Sequence, residues 1–262
     1  SGFVKLYADG SAFTGVKADG SLQSWGNTVY GGSINPTGTG YTQVFTDGTA
    51  FAALKTDGSI SAWGRSQYGG SFSPTGTGFT SISSNRLAFA ALKADGSIVT
   101  WGDTGSGGTG ATDVPTGTGY TKIISNQSAF AAIKADGSVV SWGNTANGGT
   151  GAPTGTGYTR IFATATAFAA QKADGSITVW GNSTSGGLPS AAPTGTGWQP
   201  IQSVMDIDTR ATATGVVSIN TSAVALGGSV TLTATFSGSK GVPTGTVQFV
   251  TGDVDSVFGY SV

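Results

Sequence analysis

Residues 88–102 read AFAALKADGSIVTWG. Five apolar residues come first, a polar group of five follows, and an apolar run closes on Trp-Gly. Near-copies stand at 50–64, 129–143 and 167–181, with a looser one at 12–26. The unbroken AFAAL stretch predicts a strand buried on both faces. Lys-Ala-Asp-Gly-Ser predicts a tight turn, because an Asp carboxylate bonds nearby backbone N–H groups and Gly accepts positive φ. SIVTW predicts the returning strand. Upstream of each copy, segments such as YTQVF and YTKII predict one more. Each unit therefore reads strand A, loop, strand B, Asp-Gly turn, strand C.

The A strands open at Phe3, Tyr41, Phe79, Tyr120 and Tyr158, at spacings of 38, 38, 41 and 38. Trp198 opens a sixth, WQPIQSV, 40 residues later. Strand-rich repetition with a period near 40 predicts a β-propeller or a β-solenoid, in which each sheet buries its faces only against copies of itself. Trp25, Trp63, Trp101, Trp142 and Trp180 are expected to fill the space between adjacent units. The head aromatics read as core. Lys17, Lys55, Lys93, Lys134 and Lys172 share one position at the turn and read as scaffold. The five Asp-Gly pairs read as hairpin turns rather than calcium sites. Residues 198–204 have no B and C strands of their own. They are expected beside the first blade, closing a ring of five. The competing arrangement is an open arc whose edges are capped by another subunit through strand addition.

The string AFAALKADGSIVTWG resembles the repeat of the regulator of chromosome condensation family. It is more similar still to the bacterial branch that includes propeller-type β-lactamase inhibitors. The resemblance covers about residues 3–204 and implies a propeller, seven-bladed in that family, whereas five full units stand here. The His that usually precedes the apolar strand in the eukaryotic repeat is absent. The guanine-nucleotide-exchange role of those members is not carried over. The inhibitors' contact residues lie in loops that no motif matches to this chain.

After Val204 the pattern stops. The segment 205–215 (MDIDTRATATG) reads as a linker, and 216–262 as part of a second domain. Strict alternation in SVTLTATF predicts a half-buried strand. GGSVTLTATFSG followed by PTGTVQF resembles bacterial immunoglobulin-like domains, common along surface and phage virion proteins, and covers about half of such a sandwich. The expected fold class is thus all-β: a propeller over 1–204, a linker, and a partial immunoglobulin-like β-sandwich.

Composition narrows the chemistry. Of 262 residues only 10% are charged, His and Cys are absent, and every acid is Asp. A nucleophile–base pair would lack its usual members, so no catalytic residue is assigned and an enzyme is not expected. No cofactor and no metal site is expected. Asp206, Asp208, Asp253 and Asp255, weighed as an interdomain calcium site, read as a solvated linker and tail. Net charge is −1 with no basic run, which argues against nucleic acid as a partner. No apolar segment has transmembrane length, so membrane insertion is not expected. The chain opens without a signal-peptide pattern or Met and is expected to be a mature or excised piece. Asn126, Asn182 and Asn220 fit the glycosylation sequon, as chance allows in a chain so rich in Ser and Thr.

What differs between units is most telling in two loops. The A–B loops include SNRL, SNQS and TATA; the C–D loops begin NTVYGG, RSQYGG, DTGSGG, NTANGG and NSTSGG. In an up-down sheet these share one end and the constant Asp-Gly turns share the other. Loops on a rigid scaffold carry binding more often than cores do. Tyr30, Arg65, Tyr68, Arg86, Asp103 and Asn144 are the candidate contacts, since aromatic and Arg side chains dominate binding hot spots. The reading is a non-enzymatic extracellular module for adhesion, display or assembly in a bacterial surface, filament or phage-fibre protein. The alternative is a propeller that inhibits a secreted enzyme. Expected partners are a protein or glycan surface ligand, or neighbouring copies of the chain.

Overall fold

The computed structural model describes residues 2–197 except 110 and 112, together with the backbone of four later strands. The chain divides into two compact units, Ser1–Trp198 and Gln199–Val262. The first holds five three-stranded antiparallel blades, each in the order A-B-C. Blade 1 is β1 (Phe3–Ala8), β2 (Ala12–Lys17) and β3 (Leu22–Gly26). Blade 2 is β4 (Tyr41–Thr46), β5 (Ala50–Lys55) and β6 (Ile60–Gly64). Blade 3 is β7 (Phe79–Ser84), β8 (Ala88–Lys93) and β9 (Ile98–Gly102). Blade 4 is β10 (Tyr120–Ser125), β11 (Ala129–Lys134) and β12 (Val139–Gly143). Blade 5 is β13 (Tyr158–Ala163), β14 (Ala167–Lys172) and β15 (Ile177–Gly181). Among the described residues the only helical pieces are short 3₁₀ turns.

The repeated turn does two jobs. Within a blade, Asp57 Oδ1 accepts from the Ser59 backbone N–H at 2.8 Å and from its hydroxyl at 2.7 Å, which closes the β5–β6 hairpin. Between blades, the turn receives the next unit. Tyr41 N–H donates to the Gly20 carbonyl at 3.1 Å, and Phe79, Tyr120 and Tyr158 repeat the bond to Gly58, Gly96 and Gly137. The approach is so close that a Cβ on Gly20 would lie 2.6 Å from Gly40 N, at a φ of +77°. Only glycine satisfies both demands. The repeated lysine follows the same logic: Lys55 Nζ lies 4.7 Å from the centre of the Tyr41 ring, and the other four lysines sit likewise over their head aromatics.

Each blade has an aromatic and an aliphatic face, and unlike faces pack. Ala50, Ala52, Leu54 and Ile60 of blade 2 meet Phe79, Ile82, Phe89 and Trp101 of blade 3. Phe89 and Trp101 face each other across the β8–β9 register and stack at 5.2 Å. Such a pair contributes about 0.5–1.5 kcal/mol beyond the area it buries. Trp63, Trp101, Trp142 and Trp180 are all buried, as the sequence predicts.

Trp25 departs from that expectation and is 41% exposed. The head aromatic Phe3 is also exposed, unlike its four counterparts. The letters are the same as in later units, but no earlier blade stands in front of blade 1 among the described residues. A fourth strand, implied by the term C–D loop, does not form in any described blade. The outer edge of strand C is met instead by single side chains: Asn35 Oδ1 accepts from Ser24 N–H at 2.6 Å, and Ser73 Oγ from Ala62 N–H at 2.7 Å. Residues 198–204, with their expected place beside blade 1, lie outside the described residues, as do Asp206, Asp208, Asp253, Asp255 and Asn220.

In the second unit β16 (Ala213–Ile219) pairs with β17 (Leu232–Gly238), and β18 (Thr246–Val250) with β19 (Val257–Ser261), all antiparallel. β16 begins inside the segment read as linker.

Candidate functional site at the loop end of the blades

Opposite the Asp-Gly turns, two loops of each blade meet. The first follows strand C as a one-turn 3₁₀ helix: Thr28–Tyr30, Ser66–Tyr68, Thr104–Ser106, Thr145–Asn147 and Ser183–Ser185. Its backbone hardly changes between blades. The residue before each turn has φ between −65° and −69°, and a left-handed glycine ends it. That glycine also seats the next blade: a Cβ on Gly69 would lie 2.8 Å from Trp101 Cδ1. One scaffold thus presents different side chains at five places.

Five of the six candidate residues stand on these five turns. Arg65, Asp103 and Asn144 occupy the position before the turn, and Tyr30 and Tyr68 its last residue. All five are half-buried. Arg65 lies over the Tyr68 ring, its guanidinium carbon 4.8 Å from the centroid, so these two form one contact surface. Asn27 and Asn182 cap their turns, each accepting from an N–H two residues on. Arg65, Asp103 and Asn144 make no such capping bond, and Asn144 Oδ1 is buried without a hydrogen-bond partner.

Arg86 stands apart. It is the exposed tip of the blade 3 A–B loop and lines an open cup of about 340 Å³ with Thr46, Asp47, Ser84, Asn85, Asn126, Gln127, Thr164 and Ala165. The tips are tied to one another through the backbone. Arg86 N–H donates to Gln127 O at 3.2 Å, and Gln127 N–H to Ala165 O at 3.0 Å.

In blades 3, 4 and 5 the first residue of the A–B loop ties the two loop sets together. Asn85 Oδ1 accepts from Leu87 and Ala88 N–H, while its Nδ2 donates to the Ser106 carbonyl at 2.7 Å. Asn126 does the same, donating to Asn147 O at 2.6 Å. Its amide is buried and engaged, which argues against the sequon reading there. Thr164 serves blade 5 by donating to Ser185 O at 3.0 Å. In blade 2 the place is held by Asp47. Its Oδ1 accepts from Thr49 N–H, Thr49 Oγ1 and Ala50 N–H, at 2.7, 2.9 and 2.7 Å. Its Oδ2 is buried without a partner. By the 21-residue offset of its counterparts, the carbonyl due there is that of Tyr68, which offers no proton. Burial therefore pushes the Asp47 carboxyl up to about 6, against the bonds from Thr49 and Ala50 and with a further push from Asp9. The turn carboxylates Asp19, Asp57, Asp95, Asp136 and Asp174 are held below the usual range, chiefly by their bonds from Ser.

Sequence reasoning missed Asp47, Asn85, Asn126 and Thr164. A signal exists: each stands three residues before the Ala that opens strand B. Among the described residues no three metal-ligating side chains cluster. The surface as built offers amides, hydroxyls, two Arg and two Tyr on a rigid frame, a set suited to recognition.

No protein family's sequence profile matches the chain, and no curated protein does. Solved structures do. The ectodomain of the receptor kinase CR4 from Physcomitrella patens is similar over 68% of this chain and 52% of its own, at 21% identity and a TM-score of 0.50. The CRINKLY WD40 ectodomain of the Arabidopsis thaliana receptor kinase ACR4 covers 74% of this chain and 70% of its own, at 20% identity and a TM-score of 0.48. Prp20p from Saccharomyces cerevisiae covers 68% and 58%, at 15% identity and a TM-score of 0.46. The chain spans about half the length of the CR4 ectodomain it matches. The likeness to CR4 and the five sheets establish the fold as propeller-like. No helix among the described residues is long and apolar enough to cross a membrane.

Proposed function

We propose that the chain is a non-enzymatic protein-binding module that recognises its partner with the loop end of its blades. One observation carries this reading. The backbone of the 3₁₀ turns is nearly constant across five blades, while the side chains on them differ from blade to blade. A frame held by buried Trp rings and cross-blade bonds presents its contacts pre-ordered, which lowers the entropy cost of binding. The Arg65–Tyr68 pair supplies the anchor type that dominates hot spots. The setting is an extracellular one, in a bacterial surface, filament or phage-fibre protein. The immunoglobulin-like resemblance of 216–262 supports it, as does the fold shared with a receptor-kinase ectodomain. The alternative, an inhibitor of a secreted enzyme, uses the same surface.

The test is a binding screen of the whole chain against immobilised extracellular matrix proteins, secreted hydrolases including β-lactamases, and glycans. Each hit is repeated with a variant carrying Ala at Tyr30, Arg65, Tyr68, Arg86, Asp103 and Asn144. Loss of binding with an unchanged melting curve is expected. A hit that the six-fold variant retains at full affinity places recognition elsewhere.

A further inference from the structure

The A–B loops of blades 2 to 5 begin with Asp47, Asn85, Asn126 and Thr164, and three of these residues carry a permanent hydrogen-bond donor. Asn85 and Asn126 direct it at the carbonyls of Ser106 and Asn147, and Thr164 at that of Ser185. Each bond ties the 3₁₀ turn after strand C to the loop that opens strand B. Asp47 holds the same place and is as buried as Asn126, both being 8% exposed. Its Oδ1 accepts from two N–H groups, Thr49 and Ala50, just as Asn85 Oδ1 accepts from Leu87 and Ala88. With Oδ1 fixed alike, Oδ2 takes the place of the amide nitrogen, and it has no partner.

The carbonyl due opposite Oδ2 is that of Tyr68. Its turn sits as the blade 3 turn does: a Cβ on Gly102 would lie 3.2 Å from Tyr68 O, and one on Gly143 3.2 Å from the Ser106 carbonyl carbon. The turn's own bonds run elsewhere. Tyr68 and Gly70 N–H donate to Arg65 O, at 3.1 and 2.9 Å, and Gly69 N–H donates to Ser66 O. Two acceptors thus meet at one of four otherwise equivalent ties. A proton on Oδ2 makes the pair a donor and an acceptor. Its loss sets a carboxylate against a carbonyl in a place shielded from water.

We propose that Asp47 is a proton-operated latch: protonated, it donates to the Tyr68 carbonyl and ties the Ser66–Tyr68 turn to blade 2; ionised, it lets that turn go. Burial raises its carboxyl to about 6, so the latch is closed in acid and opens as pH rises through that value. Charged and titratable groups face it from three sides. Asp9 holds the equivalent place in blade 1, whose loop reaches this one through Gly10 N–H and Gly48 O at 3.4 Å, and its charge favours the proton on Asp47. Arg86 lines the same cup. Arg65 and Tyr68 belong to the turn itself. A guanidinium does not titrate in this range, so the switch belongs to the carboxyl. A partner held through Arg65 and Tyr68 meets an ordered surface in acid and a loosened one above pH 6. That consequence rests on the binding role proposed above, whereas the latch does not.

Carbon-13 NMR of the whole chain tests the latch without any partner. The Tyr68 carbonyl shift should titrate with a midpoint near 6. The Ser106 carbonyl, tied by an uncharged amide, should not move with it. Amide exchange gives a second readout. The ratio of the Gly70 rate to that of Gly108, its counterpart in blade 3, cancels the direct effect of pH on the exchange chemistry. It should rise roughly two- to tenfold from pH 5 to 7.5, the factor a single hydrogen bond contributes. Asp47→Asn should hold the ratio at its low value and abolish the Tyr68 titration. Asp9→Asn should leave the titration in place and move its midpoint down. A Tyr68 shift that is flat between pH 4.5 and 8, or that titrates unchanged in Asp47→Asn, overturns the proposal. So does a wild-type exchange ratio independent of pH, a result that needs no variant to fold. A chain that passes these tests and binds nothing in the screen keeps the latch and loses the proposed binding role.

Discussion

Replacing Asp47 with Asn should stabilise the protein at neutral pH and flatten its pH dependence. Asp47 keeps a buried Oδ2 without a hydrogen-bond partner, where Asn85 and Asn126 place an amide that donates. Burial raises its carboxyl from 3.8 to about 6. The folded state therefore favours the protonated acid. That preference is fully expressed below about 3.8 and is lost as pH rises through about 6, so above 6 the ionised carboxylate destabilises the fold. About two pKa units at 1.36 kcal/mol each give roughly 3 kcal/mol. Asn keeps the oxygen that accepts from Thr49 and Ala50, carries no charge, and presents a donor toward the Tyr68 carbonyl. The gain should be about 3 kcal/mol above pH 7, or several degrees in melting temperature for a unit of this size. At pH 4 it should shrink below about 1 kcal/mol, because little of the penalty has yet developed. The turn carboxylates, with lowered pKa values, lose their stabilisation only as pH falls below the ordinary Asp range. They do so equally in both proteins and cancel in the difference. Melting curves followed by circular dichroism from pH 4 to 8 decide the matter. Equal melting temperatures at pH 7.5, or a gain of the same size at pH 4, would refute the argument.

Three further outcomes follow from the same packing. Trp101→Ala should cost about 3–5 kcal/mol, the range for a fully buried large ring, whereas Trp25→Ala should cost much less; chemical denaturation of the two variants compares them. Gly69→Ala should destabilise more than Ala→Gly at an exposed site, because the new Cβ meets Trp101 at 2.8 Å and φ is +104°; a thermal melt reads this directly. Asp57→Ala should weaken the β5–β6 hairpin by freeing the Ser59 N–H and hydroxyl, and amide exchange at Ser59 should quicken. Unchanged exchange there would mean that the turn is held by its glycine alone.

The strands were legible because AFAAL, Asp-Gly and Trp-Gly each act locally. A carboxylate two residues before a Ser makes its turn from near neighbours, and an all-apolar run is buried wherever it falls. Position in the array was not legible. Phe13 and Trp25 carry the same letters as Phe51 and Trp63, yet their exposure depends on which blade stands in front. The cup was missed for a related reason. Asp47, Asn85 and Asn126 look like ordinary turn residues, and their second bond reaches a carbonyl 21 residues away that no local pattern announces. The residues of the 3₁₀ turns were found because the contrast between units is itself a sequence feature. The missing fourth strand was hidden in Pro-Thr-Gly-Thr-Gly, whose last glycine gives way to the head aromatic bonded to the previous turn.

That bond between a head aromatic and the preceding Asp-Gly turn has a consequence for how such chains change length. Every junction offers the same donor, the same acceptor carbonyl and the same pair of faces. Removing residues 79–119 would bring Gly78 directly before Tyr120, restoring Pro-Thr-Gly-Thr-Gly-Tyr without a scar. Blade 2 would then receive Tyr120 at Gly58 as it now receives Phe79. The junction chemistry therefore tolerates the loss or gain of a whole unit. The number of blades is thus free to drift by whole units, while the interior of each unit is held fixed by what its neighbour requires.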